Sequence, residues 1–448
     1  MKKRWLIVFG YLGAILLGAV LFMLPISSPN HTWMRPLDAL FTACSAVCIT
    51  GLTVIDVGRD LSCFGQTVLI CLVELGCVGI MTCATFFLVV VGRRISLSSE
   101  FSLMNAYGAS GVRGFRSLVV WVVSSMLVIE LFGTVLLWLQ FTSDQPFGEA
   151  LGNGTAWYRA FFYSVMAFCN AGFSLDPGSI AVFQGKPLVL VTLGVLVILG
   201  GVGFLVIYNV CTVKFWRRNL LTRGRLTLHA RVVLQWTFFF SLSMFLLFYL
   251  FEWNGALADY DATSRPAVAF FQALTPRTCG FTVVPVEDLR PATRFLSGVM
   301  MFIGAAPGGA GGGIKITTFA VFLTTLFAIC RGRRDTVMLK RAVPEAVVRE
   351  ATVIVIVFAA LVTCAMTVLL VSEEGQSFEY LLFETVSAVT TTGLTCGDTT
   401  VSLSSVGRVV IMACMFCGRL GAIAVVMLIG GQEDHTTIRY PKEELVVG

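Results

Sequence analysis

The sequence predicts an all-α integral membrane protein built from four copies of one helix–re-entrant loop–helix unit. Three observations predict it. The chain of 448 residues is 56% hydrophobic and only 13% charged, about half the roughly 25% charge of a soluble domain, with a mean hydropathy of +0.85. Its apolar residues gather into eight runs, each long enough to approach the ~20 residues that span a bilayer. One short stretch ending in glycine recurs four times between those runs. A soluble fold cannot hide this much apolar surface behind a charged exterior, whereas lipid solvates it directly.

The eight predicted spans run Trp5–Ile26, Gln66–Val91, Leu118–Gln140, Pro187–Val210, Val232–Phe251, Phe295–Ile329, Ala351–Val371 and Val409–Ile429. The first follows Lys2, Lys3 and Arg4. It is longer than a signal-peptide core, and no small-residue cleavage site follows it. With the N-terminus placed in the cytosol, 21 of the 32 basic residues fall on the inner side, including Arg93, Arg94, Arg217, Arg218, Arg331 and Arg333. The outer loops collect Asp56, Asp60, Asp176, Glu287, Asp288 and Asp398. Both termini are therefore expected in the cytosol. The net charge of +6 is too scattered to suggest a nucleic-acid partner. Most of the fourteen cysteines lie in apolar runs as small buried hydrophobes, and the three histidines stand far apart, so neither a disulfide framework nor a zinc site is expected.

The recurring stretches are Phe41 to Thr53, Phe162 to Ser174, Phe270 to Thr282 and Phe383 to Thr395. Each has Phe ten residues before a glycine, then Leu or Phe, then Ser or Thr. The glycines are Gly51, Gly172, Gly280 and Gly393, spaced by 121, 108 and 113 residues. The units are 1–94, 95–220, 221–341 and 342–448. Such stretches are too short to span and too apolar for free loops. They fit half-helices that dip into the membrane and return extended. Pro36, Pro266 and Ser377 are plausible starts for three of them. Non-helical backbone survives at that depth only when it is buried in protein or lines a water-filled path. Four such loops around a pseudo-fourfold central pore would give rings of carbonyls able to replace the hydration shell of a monovalent cation. Glycine supplies the positive φ that turns the carbonyls inward.

The sequence here resembles the Trk/Ktr/HKT superfamily of potassium transporters over essentially its whole length. The resemblance is carried by Ser45-Ala-Val-Cys-Ile-Thr-Gly51-Leu, Asn170-Ala-Gly-Phe173 and Thr275-Pro-Arg-Thr-Cys-Gly-Phe281. It is similar most of all to the Ktr/Trk membrane (pore) subunit. The resemblance implies a potassium filter with one glycine per unit, formed by Ile49, Thr50 and Gly51, by Asn170, Ala171 and Gly172, by Thr278, Cys279 and Gly280, and by Thr391, Thr392 and Gly393. Glycine at position 51, where plant members selective for sodium carry serine, implies potassium preference. Two departures are Glu74, where a neutral polar residue is expected, and Cys279, where alanine is common.

One strongly broken helix is visible, at 304–315, where Gly304-Ala-Ala-Pro-Gly-Gly-Ala-Gly-Gly-Gly-Ile-Lys315 cannot hold a regular helix. Its spacing does not match a phosphate-binding loop, because Ile314 separates Gly313 from Lys315. The resemblance implies an intramembrane gating loop here, with Gly308, Gly309, Ala310, Gly311, Gly312 and Gly313 as its centre. Lys315 and Arg419 are charges within spanning segments, where a charge is costly unless it faces the interior, with snorkelling to the interface as the alternative for Lys315. Arg419 is expected to hydrogen-bond carbonyls of the glycine-rich segment, or alternatively to pair with a helix carboxylate. Glu74 and Glu130 are also intramembrane, as helix–helix hydrogen bonds, as partners of a buried cation, or as a coupling-ion site for sodium or protons.

No nucleotide-binding fingerprint occurs, so no cofactor is expected on this chain beyond potassium as the transported ion. The resemblance implies a homodimer in the membrane and a cytosolic ring of Rossmann-type (RCK/KTN) regulatory subunits that would carry any nucleotide. The basic inner loops would dock that ring or contact lipid. The location implied is a bacterial-type plasma membrane. No catalytic constellation can be placed, so an enzyme is not expected. The alternative function is a sodium-coupled secondary transporter of another cation or small solute, for which two broken helices in inverted repeats would be the signature.

Overall fold

The computed structural model describes residues 2–79, 115–143, 145–214, 226–333 and 335–421. The inner ends of the second and eighth predicted spans, the basic residues Arg93, Arg94, Arg113, Arg217, Arg218, Arg223, Arg225, Arg334, Arg439 and Lys442, the unit boundaries at 94/95 and 220/221, and the C-terminal tail lie outside the described residues.

The chain is mostly helical. The first unit contains α1 (Lys2–Met23), α2 (Pro36–Cys48) and α3 (Cys63–Val78). The second contains α4 (Phe115–Ser143), α5 (Gln145–Phe168), α6 (Pro187–Val202) and α7 (Phe204–Lys214). In the third are α8 (Leu228–Glu252), α9 (Arg265–Leu274), α10 (Pro291–Met301) and α11 (Ile316–Cys330). The fourth holds α12 (Glu345–Ser372), α13 (Phe378–Val389) and α14 (Ser405–Leu420). A two-residue hairpin, β1 (Val337–Met338) with β2 (Arg341–Ala342), lies between α11 and α12.

Local chemistry fixes the helix starts. Proline stands at the first turn of α2, α6, α9 and α10, where its missing N–H is no loss. Ser62 and Ser404 cap α3 and α14 by accepting from Gly65 N and Gly407 N. Ser377 occupies the cap position of α13 without a side-chain cap bond.

Among the described residues, three helices are long and apolar enough to cross a membrane: Val119–Ser143, Leu228–Glu252 and Glu345–Ser372. The pair α6 and α7 passes the same test together but bends by 95°. The other predicted spans are represented by shorter apolar helices such as Val8–Met23, Cys63–Val78 and Ile316–Cys330. Phe132, Phe238, Ile329 and Ile356 point outward and are exposed, as a lipid-facing surface requires. By contrast, residues 41–50 and 383–394 are buried throughout, so the half-helices α2 and α13 sit inside the bundle.

Packing closes a cycle. Within the first, second and fourth units the flanking helices pack together with the helix between them; in the third, α8 packs on α9, α10 and α11. Between units, α3 packs on α5, α6 on α9, α10 on α13, and α14 back on α2. The second helix of every unit thus supports the short helix of the next.

The predicted break after Met301 is present, with Ile316 starting the next helix. A second break, not anticipated in the sequence, falls at Gly203, where φ is +90°. A side chain there would meet Pro307 O at 2.9 Å, so the bend accommodates the glycine-rich segment.

Candidate functional site

α2, α9 and α13 are short, at 13, 10 and 12 residues, whereas α5 runs 24 residues, longer than the half-helix expected there; all four end in the same way. Ile49, Asn170, Thr278 and Thr391 adopt φ of +54°, +54°, +62° and +52°. Two residues later come Gly51, Gly172, Gly280 and Gly393, with φ of +90°, +71°, +80° and +87°. Two positive-φ residues within three reverse the chain and send it back outward. Left-handed backbone at the β-branched Ile49, Thr278 and Thr391 costs of order 1–3 kcal/mol each and persists only where the surroundings impose it.

The four glycines come together. A Cβ on Gly51 would strike Ala171 O; one on Gly172 would lie 3.0 Å from Cys279 O. On Gly280 it would lie 2.7 Å from Thr392 O, and on Gly393 it would strike Thr50 O. The residue before each glycine therefore presents its carbonyl to the preceding glycine around a closed ring. Ser45 and Ser387 brace two of the loops, their Oγ atoms accepting from Gly51 N at 3.0 Å and Gly393 N at 3.1 Å.

All four glycines open onto one outer cavity of ≈ 600 Å³. Asp56, Asp60, Asp176, Glu287 and Asp398 line it, and no Lys, Arg or His does among the described residues. Several of these acids also organise the rim: Asp56 accepts from Gly58 N at 3.0 Å, Glu287 accepts from Gly397 N at 3.0 Å, and Asp176 pairs with Arg159. The carboxylates make the cavity electronegative.

The glycine-rich segment lies on the other side of the ring. Side chains added to Gly311 and Gly312 would collide with the hydroxyls of Thr278 and Thr391. Backbone bonds hold it: Ala306 N to Gly201 O at 2.9 Å, Ala310 N to Gly200 O at 3.1 Å, Phe204 N to Gly308 O at 3.1 Å and Gly304 N to Ile314 O at 2.9 Å. Lys315 Nζ donates to Gly311 O at 2.7 Å. Arg419 Nη1 donates to Ala310 O and its Nη2 to Gly76 O, both at 2.5 Å. One guanidinium therefore ties the segment to the first unit's second helix.

Sequence reading missed several residues here. Gln272 is buried and clamps the returning third loop, accepting from Val283 N and donating to Val284 O. Arg277, buried behind that loop, donates to Ser241 Oγ at 3.1 Å and Thr237 Oγ1 at 3.5 Å. Its position within Thr275-Pro-Arg-Thr-Cys-Gly was the available signal. Glu384, buried on α13, accepts from the Thr400 hydroxyl.

Comparison with known proteins agrees with this architecture. Residues 14–433 match the family described as TrkH, Cation transport protein. The chain is 32% identical to the Ktr system potassium uptake protein B of Bacillus subtilis, over 98% of this chain and 95% of that protein. It is 34% identical to the protein of the same name from Vibrio alginolyticus, over 99% and 94%. It is 32% identical to the potassium/sodium uptake protein NtpJ of Enterococcus hirae, over 100% and 99%. Its fold matches the crystal structure of the potassium transporter TrkH from Vibrio parahaemolyticus with a TM-score of 0.71, at 17% identity, covering 94% of this chain and 84% of that one. This multi-pass membrane chain therefore belongs to the TrkH family of cation transport proteins, which are transporters and not enzymes.

Proposed function

We propose that the chain is the membrane pore subunit of a potassium uptake system. The observation that carries this reading is the outer cavity: four glycines and five carboxylates line it, with no basic side chain among the described residues. The names of the relatives, potassium uptake proteins of two bacteria, support potassium as the cargo.

In this reading a hydrated cation collects in the acidic mouth and sheds water onto carbonyls of Ile49, Thr50, Asn170, Ala171, Thr278, Cys279, Thr391, Thr392 and the four glycines. Carbonyl rings replace the hydration shell. The C-terminal ends of α2, α5, α9 and α13 lie at the ring and contribute partial negative charge. The segment 304–315 is the gate below the filter. Its contacts with Thr278 and Thr391 close the path, and Arg419 and Lys315 hold it there while adding a positive barrier. Opening requires the segment to leave Arg419.

Both termini lie in the cytosol of a bacterial-type inner membrane, and the chain works as a homodimer. A cytosolic RCK/KTN-type ring, carrying any nucleotide, pulls on the gate through the inner loops, which also contact lipid. "Ktr system" in the relatives' names fits a pore that works with a separate subunit.

The bend at Gly203 beside the broken third helix revives the sodium-coupled secondary transporter, whose signature is paired broken helices. Against it, α3 and α14 also end on positive-φ glycines, Gly79 and Gly421, at φ of +83° and +82°. Positive-φ glycines in all four units, Gly79, Gly203, Gly308 and Gly421, fit fourfold units better than a two-fold inverted pair.

The test is rubidium uptake in cells lacking their own potassium uptake systems, with surface expression matched. Wild type, Gly280→Ser and a deletion of 308–313 are compared under varied sodium. Saturable uptake that Gly280→Ser abolishes and the deletion raises is the expected result. Uptake indifferent to Gly280 overturns the filter assignment and favours the solute symporter.

A further inference from the structure

A cluster of two carboxyls and two thiols lies behind the second glycine loop, outside the cation path. Glu74 and Cys77 share one face of α3, Glu130 lies midway along α4, and Cys169 follows α5 directly, three residues before Gly172. Glu130, Cys77 and Cys169 are buried and Glu74 is half-buried. Donor atoms of Glu74, Glu130 and Cys169 all lie within 4.8 Å of one another. The Cys169 thiol donates to Glu130 Oε1 at 3.7 Å. Glu74 and Glu130 are electrostatic neighbours, as are Cys77 and Cys169, with Cys77 lying outside that set of close donors.

Two carboxylates in contact inside a membrane protein repel each other and must hold a cation between them. No basic side chain among the described residues pairs with either glutamate. A single shared proton leaves one negative charge on the buried carboxyl pair, whereas a divalent ion neutralises both carboxylates. Two oxygens and one sulfur from α3, α4 and the end of α5 make a ligand set suited to a borderline-soft divalent ion, with a position left for water. Zinc bonds of about 2.0–2.2 Å to oxygen and about 2.3 Å to sulfur require the three donors to draw together from separations of up to 4.8 Å.

We propose that Glu74, Glu130 and Cys169 form a binding site for a thiophilic divalent cation of the zinc class, which locks the wall of the second glycine loop. Binding exchanges the metal for the proton shared by the carboxyls and for the thiol proton of Cys169. The occupied site would cross-link α3, α4 and the chain at Asn170. Gly76, two residues beyond Glu74, is the acceptor for Arg419 Nη2, so the clamp would also stiffen the anchor of the glycine-rich segment. Slower cation passage is the expected consequence, and this consequence alone rests on the transport reading.

The purified full-length chain in nanodiscs is titrated with cadmium, whose thiolate charge-transfer absorption reports sulfur ligation. Wild type, Glu130→Gln, Cys169→Ser and Glu74→Gln are compared, with Cys211→Ser as an exposed, distant control. Wild type and Cys211→Ser should bind tightly. Cys169→Ser and Glu130→Gln should each weaken binding by at least the about 10–100-fold that loss of even an outer partner costs. Should Glu130→Gln fail to fold, the half-buried Glu74→Gln carries the carboxylate arm. Equal binding by Cys169→Ser and wild type overturns the site, as does binding with no cadmium–sulfur band; either leaves a proton-sharing pair. In the uptake assay, zinc should slow rubidium entry in wild type and not in Cys169→Ser. Metal binding without any rubidium uptake would instead count against the transport reading and leave the site intact.

Discussion

The four glycine loops and the single glycine-rich segment use the same residue for opposite ends. In the loops, glycine sits at one fixed position per unit, and its neighbours are backbone carbonyls from the next loop in the ring. There it permits a rigid geometry that no other residue can adopt. In 304–315, glycines are clustered, occur in one unit only, and meet the hydroxyls of Thr278 and Thr391 or backbone from Gly200 and Gly201. There they remove side chains so that a segment can lie close under the ring and be held by a few hydrogen bonds. In the proposed reading, symmetry-related positions carry the fixed machinery, and the departure from symmetry carries the movable part.

The largest expected effect is on the fixed part. Gly393→Ala must hold a side chain at φ +87° with its Cβ driven into Thr50 O. The backbone penalty alone, of order 1–3 kcal/mol, together with that collision predicts at least an about 100-fold loss of rubidium uptake at normal surface expression. Retained uptake would mean that the ring does not have to be rigid, and the contrast between the two regions would fail.

The movable part should respond with the opposite sign. Arg419→Met keeps most of the volume but removes both bonds, to Ala310 O and Gly76 O. Bonds of this charged kind contribute about 1.5–3 kcal/mol each, part of which water recovers. Basal uptake without a regulatory partner should rise about tenfold. A fall in uptake would show that Arg419 positions the path instead of restraining the segment.

Much of this contrast was legible in the sequence, and for a physical reason. A phenylalanine ten residues before a glycine marks a half-helix of fixed length ending in a fixed turn, and that register survives in sequence. A further register stood in plain view unread. Gly79, Gly203, Gly308 and Gly421 follow the four ring glycines by 28, 31, 28 and 28 residues, and all have positive φ. Three of them end helices. Isolated glycines in apolar runs look like ordinary helix residues, and the contact that demands glycine at position 203, Pro307 O, comes from a distant chain segment. The same limit hid Arg277 and Gln272, whose partners lie on α8 or across the returning loop. Arg419 could be singled out because a charge inside a span must have a reason; its acceptors, Ala310 O and Gly76 O, come from distant chain segments and carry no local mark.

A smaller effect separates loops that are braced from loops that are not. Ser387→Ala removes the acceptor for Gly393 N, whereas Met166 and Leu274 hold the equivalent positions in the second and third units. One neutral hydrogen bond contributes about 1 kcal/mol, so discrimination against sodium should weaken about fivefold with total uptake nearly unchanged. Measuring rubidium uptake against competing sodium decides it. An unchanged ratio would place the rigidity of the ring in its carbonyl contacts alone.

The smallest effect tests whether the acidic mouth acts through its field or through contact. Asp398 lines the outer cavity but is five residues beyond Gly393, on the rim and away from the ring. Asp398→Asn removes one charge from a mouth that keeps Asp56, Asp60, Asp176 and Glu287. A field effect of this kind is screened by salt, with a Debye length of about 10 Å at 0.1 M and about 30 Å at 0.01 M. The KM for rubidium should therefore rise about twofold at low ionic strength, converge with wild type at high ionic strength, and leave the maximal rate unchanged. A KM rise that ignores ionic strength would assign Asp398 to direct coordination of the entering cation, and would extend the fixed machinery outward from the ring to the rim.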